Sequence, residues 1–143
     1  MRFLPLLLSL PVFIGACEKE QGPPVVISDV RVLAPMPGST MGVGYMSIAN
    51  RGEETITVDA VSSPQFEKVE MHETTITDGI SRMRRLDHVQ IQSGATAVFE
   101  AGGKHLMLIE PRPGLVMGES ITLQFEYNGE GMLIVATTLI NWE

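Results

Sequence analysis

Short runs of β-forming residues, separated by turn residues, constrain the fold of this chain more than any other feature. From Val25 onward about nine such runs follow one another, with turn signals roughly every ten residues. The dipeptide Asp78-Gly79 and the segment "NRGEE", residues 50–54, are typical of hairpin turns. No stretch of useful length has a helical period. The pattern predicts an all-β domain, built as an antiparallel sandwich or Greek-key barrel.

The N-terminal residues are typical of an export signal. Arg2 precedes the apolar segment "FLPLLLSLPVFIGA", which is too short to span a bilayer stably and ends directly before Cys17. "IGAC" resembles the lipobox of bacterial lipoprotein signal peptides, whose cysteine carries the lipid. We therefore predict a signal peptide at 1–16, a lipidated tether at 17–24 and a domain at 25–143. An ordinary cleaved signal, with an incidental Cys17, is the alternative.

Charge and cysteine content exclude several classes of protein. The formal net charge is −7 and aromatic residues make up 6%, so a nucleic-acid-binding surface is not expected. Export to an oxidising cell envelope would permit disulfides, but Cys17 is the only cysteine. A soft metal in the mature domain must therefore be bound without thiolates.

Histidine and methionine are the candidate metal ligands. Side chains alternate along a strand, so in "KHLMLIE" His105 and Met107 share one face while Leu106 and Leu108 share the other. Residues two apart on a strand lie about 6.6 Å apart, which allows both side chains to reach one ion. The remaining candidates are His72 in "VEMHE", which faces away from its neighbour Met71; His88; and Met83, which stands between Arg82 and Arg84.

Two imidazoles and two thioethers suit Cu(I), because thioether sulfur is a soft ligand that hard cations do not favour. The chain has nine methionines, however, and methionine commonly fills gaps in a core. On composition alone, core packing of Met83 and Met107 and a backbone hydrogen bond for His105 explain these residues slightly better.

The spacing of the four residues favours the metal. Ten residues separate His72 from Met83, twenty-one separate Met83 from His105, and one separates His105 from Met107. This resembles the H(M)X10MX21HXM motif of the periplasmic copper chaperone family PCuAC, as do "GYMSIAN", "VEMHET", "GISRMRRLDHVQI" and "GGKHLMLI". The resemblance covers roughly residues 25–140. It implies a cupredoxin-like fold and a Cu(I) site near the surface with His72, Met83, His105 and Met107 as its ligands.

The resemblance also implies a function without catalysis. PCuAC proteins are linked to copper delivery to the CuA centre in the copper subunit of cytochrome c oxidase, often alongside Sco-type proteins. We expect a metallochaperone of the periplasm, held at a membrane through Cys17. General copper storage or tolerance, and a metal-free structural lipoprotein, are the alternatives. Blue-copper electron transfer needs a cysteine ligand, which the domain lacks.

Three further residues are expected outside the site: Met71 and Met46 in the core, and His88 at the surface or half-buried. An approach of Met71 to the ion through an irregular backbone is the minor alternative. Arg82, Arg84 and Arg85 form a basic cluster that is expected to be a solvated face, with docking to an acidic partner as the alternative.

Overall fold

The structure is a computed structural model that describes residues 24–129 and 131–141. Within them the only regular elements are strands, which confirms the all-β prediction. The predicted run "ISRMRRLDHVQI" forms two strands instead of one, divided at Asp87-His88, so the described residues form ten strands. The strands are β1 Val25–Leu33, β2 Met41–Asn50, β3 Ile56–Ser62, β4 Phe66–Thr77, β5 Ile80–Leu86, β6 Val89–Ile91, β7 Thr96–Phe99, β8 Lys104–Pro111, β9 Ser120–Tyr127 and β10 Gly131–Ile140.

The strands follow one another in the order β5-β4-β8-β7-β2-β1-β10-β9-β3-β6, and β8 also pairs with β2. Over the residues that the structure describes, only two pairs join β1 to β10, in parallel, so this is where one half of the sandwich passes into the other. Alternate residues of both halves point inward and form one apolar core, which contains Phe66, Phe99 and Phe125. The fold is therefore sandwich-like, with β5 and β6 at the two ends of the strand order.

The core fixes the orientation of β8. Leu106 and Leu108 are completely buried on its inner side. Gly44 of β2 lies so close that an added Cβ would be 3.2 Å from the Cβ of Leu106. Because side chains alternate along the strand, burial of the two leucines turns His105, Met107 and Ile109 toward the outer face of the sheet, as predicted.

β4 and β5 form a hairpin that extends beyond the core. Asp78 and Gly79 both have positive φ, at 53° and 75°, which is the backbone of a type I′ turn and confirms the predicted hairpin. Among the described strands, β5 pairs with β4 alone and is an edge strand of the sheet. Side chains on β5 are exposed on both faces, except for Leu86 at its end.

The prediction of a hairpin at "NRGEE" was wrong. β2 and β3 belong to different halves of the sandwich, so this segment connects the two halves. The side chain of Asn50 is buried and holds the connection together: its amide donates to the carbonyls of Glu54, at 2.7 Å, and Ile91, at 2.9 Å. Its carbonyl accepts from the backbone N–H of Gly52. The partner at Ile91 is 41 residues away, so the local turn pattern could not reveal it.

Among the described residues there is no helix with the length and hydropathy needed to cross a membrane. The predicted signal peptide and Cys17 lie outside the described residues.

Candidate metal centre

Two of the predicted ligands are direct neighbours across two strands. His72 of β4 is paired with His105 of β8 in antiparallel register, so both side chains lie on the outer face of the sheet. Their ring centroids are 6.0 Å apart and the rings are inclined by 37°. A metal bound to a ring nitrogen at about 2 Å lies about 3.2 Å from the ring centroid. The separation therefore leaves room for one ion between the two rings.

The two methionines stand on either side of this histidine pair. Met107 follows His105 by two residues and faces outward with it, opposite Glu70 of β4. Met83 is paired with Thr74, two residues beyond His72, and also faces outward. Diagonal neighbours on adjacent strands are about 7–8 Å apart, a distance that long side chains can bridge. All four predicted ligands thus lie on one face of three adjacent strands.

Exposure differs sharply among the four side chains. His105 is buried, with 7% of its surface exposed, and Met107 is partly buried. The side chain of His72 is 13% exposed. Met83, on the edge strand, is 56% exposed. The centre is therefore shielded on the side of β8 and open on the side of β5.

Hydrogen bonds leave one nitrogen free on each ring. His105 donates from Nδ1 to the carbonyl of Gly103 at 3.1 Å, because a carbonyl can only accept. His72 donates from Nε2 to the carboxylate of Glu70 at 2.9 Å. Nδ1 of His72 is buried and has no hydrogen-bond partner, and within the described ranges it is the only buried side-chain nitrogen or oxygen in that state. An orphaned buried acceptor requires an explanation, and a bound cation supplies one.

The donor set is soft. Among residues 24–129 and 131–141, no group of three or more histidine, cysteine, aspartate or glutamate side chains could hold a metal. Within the part of the chain that the structure describes, the only carboxylate that contacts a histidine of the site is Glu70, and its oxygens already accept from cations and from His72. Two imidazoles and two thioethers remain, a set that fits a soft ion with few ligands.

Glu70 contacts a predicted ligand, although the sequence pattern did not indicate a role for it in the site. Its side chain is 12% exposed and forms ion pairs with Lys68 and with Arg85, the latter at 3.5 Å. The hydrogen bond from Lys68, followed by that from His72, lowers the pKa of Glu70 to about 2, although burial opposes the shift. The carboxylate is therefore ionised throughout the physiological range.

A second acidic residue, Glu73, lies on the other face of β4. It pairs with Arg84 at 2.7 Å and with Lys104 at 3.1 Å. The hydrogen bonds from Lys104 and then Arg84 lower the pKa of its carboxyl group. Two arginines of the predicted basic cluster, Arg84 and Arg85, thus form ion pairs within the protein while their side chains remain mostly exposed.

The residues predicted to lie outside the centre do so. Met71 is adjacent to His72 but points into the core, where 4% of its surface is exposed. Met46 is likewise buried, and His88 is exposed where β5 ends and β6 begins.

Comparison with known proteins identifies the family. A family model described as "Putative lipoprotein LpqE-like" matches residues 25–138, most of the chain. The chain belongs to the LpqE-like family. All four residues of the candidate centre lie within the matched range.

Two related proteins match with lower coverage. "Uncharacterized protein RP573" of Rickettsia prowazekii (strain Madrid E) is 26% identical over 98 residues, which are 68% of this chain and 54% of that protein. "Putative lipoprotein Lxx21020" of Leifsonia xyli subsp. xyli (strain CTCB07) is 30% identical over 91 residues, 62% of this chain and 55% of that protein. The LpqE-like chain thus spans about half the length of each of these relatives.

Solved structures confirm the fold expected from the PCuAC resemblance. The structure titled "Copper-bound PCuAC domain from PmoF2" has a TM-score of 0.67 at 18% identity, and covers 84% of this chain and 95% of its own. "Solution structure of CuI-DR1885 from Deinococcus Radiodurans" has a TM-score of 0.67 at 24% identity, with coverages of 85% and 82%. At these identities the likeness shows the fold alone, and the LpqE-like chain has the PCuAC fold.

Proposed function

We propose that this protein binds one Cu(I) ion through His72, His105, Met83 and Met107 and carries it to an acceptor protein. The observation that carries the proposal is the buried, unpartnered Nδ1 of His72, on a ring that directly opposes His105 across two strands. A ring nitrogen left in this state costs free energy in the apo protein, and a cation bound there would recover it.

The choice of Cu(I) follows from the two thioethers. Methionine sulfur favours soft ions, whereas zinc and harder cations gain little from it. Methionine also cannot form a disulfide in an oxidising compartment. The names of two structural neighbours, one "copper-bound" and one "CuI", agree with this choice.

The distribution of exposure favours a carrier. His105 and Met107 on β8 would retain the ion, while Met83 lies on an open edge strand. A ligand from an acceptor could approach from the side of β5 and displace the thioether of Met83 first. Transfer would then continue by stepwise ligand exchange, and no bond other than those to the metal would be made or broken. The proposed function is therefore that of a chaperone and not of an enzyme.

We further propose that the protein acts in the periplasm, attached to a membrane through a lipid on Cys17. The name of the LpqE-like family and the lipobox-like "IGAC" support the anchor. By resemblance to PCuAC proteins, the proposed acceptor is the apo CuA centre of the copper subunit of cytochrome c oxidase, with a Sco-type protein as a second partner.

The test is transfer of copper between purified proteins. The domain, loaded with one equivalent of Cu(I), is mixed with an apo CuA domain, the two are separated, and copper is measured in each fraction. We expect most of the copper with the acceptor. A His72→Ala/His105→Ala variant, which should not retain the ion on loading, is the control. Copper that stays with the donor at every acceptor concentration would contradict delivery to CuA.

Copper storage or tolerance is the second candidate function, because the buried position of His105 would also suit long retention. A storage protein would keep its Cu(I) when challenged with the apo acceptor, so the same experiment separates the two functions. Protein purified from the periplasm without copper, and unable to take up Cu(I) afterwards, would instead support a structural lipoprotein.

A further inference from the structure

The ring of His72 is held by a carboxylate on its own strand. Glu70 and His72 are two residues apart on β4, and both lie on the outer face of the sheet. Nε2 of His72 is 2.9 Å from Oε2 of Glu70. An ionised carboxylate can only accept a hydrogen bond, so the proton of the neutral ring is on Nε2 and the lone pair is on Nδ1. Nδ1 is the buried atom that has no partner.

Glu70 is itself held in place. Its other oxygen, Oε1, accepts a hydrogen bond from the ammonium group of Lys68, and a guanidinium nitrogen of Arg85 is 3.5 Å from the same atom. The carboxylate is thus fixed from three sides on a surface where its side chain is 12% exposed. A charge anchored in this way restricts the rotation of the imidazole that donates to it.

His105 is held in the opposite sense. Its Nδ1–H donates to the carbonyl of Gly103, which also accepts from the backbone N–H of Thr74 at 3.0 Å. This second hydrogen bond lies one residue beyond the last pair of β4 and β8 and restrains the carbonyl. The lone pair of the neutral His105 ring is therefore on Nε2. The two facing rings have opposite tautomers, each fixed by a different kind of acceptor.

We propose that Glu70 is a positioning residue for the metal centre: it selects the tautomer of His72, so that the ion is bound by Nδ1 of His72 and by Nε2 of His105. The inference rests on the proposed function. A histidine that binds a metal commonly donates its other N–H to a carboxylate or a carbonyl, which fixes the ring and increases the basicity of the binding nitrogen. Here His72 donates to a carboxylate and His105 donates to a carbonyl.

The test uses Glu70→Gln, with Glu73→Gln as the matched control. Glutamine can donate as well as accept, so it no longer selects one tautomer of His72. Glu73 lies on the same strand and also has two cationic partners, but its carboxylate accepts hydrogen bonds from Arg84 and Lys104 and not from a histidine. Both variants therefore remove one ion-paired negative charge, and only Glu70→Gln replaces the acceptor-only partner of the His72 ring.

Two measurements are made on the wild type and both variants. Long-range ¹H–¹⁵N correlation spectra at about pH 8, above the ordinary titration range of histidine, separate protonated from unprotonated ring nitrogens. In the apo wild type we expect His72 protonated at Nε2 and His105 at Nδ1, and Cu(I) should shift the Nδ1 resonance of His72. Competition with a chromogenic chelator gives the Cu(I) affinity, which we expect Glu70→Gln to lower by about tenfold or more.

In Glu70→Gln the spectra should contain both tautomers of His72, whereas Glu73→Gln should match the wild type in both measurements. The inference is overturned if His72 of the apo wild type is protonated at Nδ1. It is also overturned if Glu70→Gln keeps both the wild-type tautomer and the wild-type affinity. Failure of the proposed function is separate: it would appear as unchanged Cu(I) binding when His72 and His105 are replaced by alanine.

Discussion

Two methionines near His72 should respond to substitution in opposite ways. Met71 is 4% exposed in the core, whereas Met83 is 56% exposed on the outer face of the edge strand. Met71→Ala should lower the free energy of unfolding by about 3 kcal/mol, within the range of about 2–5 kcal/mol for removing a buried methionine side chain. Met83→Leu keeps the volume of the side chain and should change stability by less than about 0.5 kcal/mol. The Cu(I) affinity of Met83→Leu should fall by about tenfold or more, since even residues that only support a metal ligand contribute that much.

The assay is urea unfolding of the apo proteins followed by Cu(I) competition titration, because bound copper would itself stabilise the fold. With an m-value of about 2 kcal/mol per molar urea, Met71→Ala should lower the midpoint by about 1.5 M. Met71→Leu, the matched partner of Met83→Leu, should retain the wild-type Cu(I) affinity. If Met71→Leu weakens binding as much as Met83→Leu does, Met71 reaches the ion and the assignment of faces on β4 is refuted.

Three further outcomes are expected. Because the pKa of Glu70 is lowered to about 2, its ion pair with Lys68 stabilises the fold above about pH 4.5 and loses this effect as the pH falls toward 2. Between pH 7 and pH 3, the free energy of unfolding, measured by urea unfolding at each pH, should therefore fall further in the wild type than in Glu70→Gln. The expected difference is on the order of 1–2 kcal/mol after solvent screening, and equal falls would contradict the ion pair. Asn50→Ala removes the buried hydrogen bonds of the connection and should cost about 2–3 kcal/mol of unfolding free energy without changing Cu(I) affinity, whereas a change in affinity would link the connection to the centre. His105→Ala should weaken Cu(I) binding more than Met107→Leu in competition titrations, because the imidazole nitrogen is the stronger ligand, and the reverse order would contradict the assigned roles.

The faces of the strands could be predicted from the sequence because they depend on a local rule. Alternation along β8 separates His105 and Met107 from Leu106 and Leu108, and the structure has the same division. The same rule separates His72 from Met71 on β4. Burial of every second residue is decided by hydrophobicity, which can be read directly from the order of residues.

The register between strands and the orientation of rings could not be predicted in this way. Direct pairing of His72 with His105 depends on how β4 and β8 align, and a separation in sequence does not determine it. The contact between Glu70 and His72 depends on side-chain rotamers, so Glu70 was missed, although its position two residues before a candidate ligand was a usable signal. The connection at Asn50 was misread because its stabilising partner, the carbonyl of Ile91, is distant in sequence.

A stoichiometric Cu(I) titration of the wild type and of the His72→Ala/His105→Ala variant, in competition with a chromogenic chelator, tests the central claim most directly. We predict that the wild type removes one equivalent of Cu(I) from the chelator and that the double variant, folded by the criterion of its urea transition, removes none. Removal of one equivalent by both proteins with equal affinity would contradict the assignment of the centre.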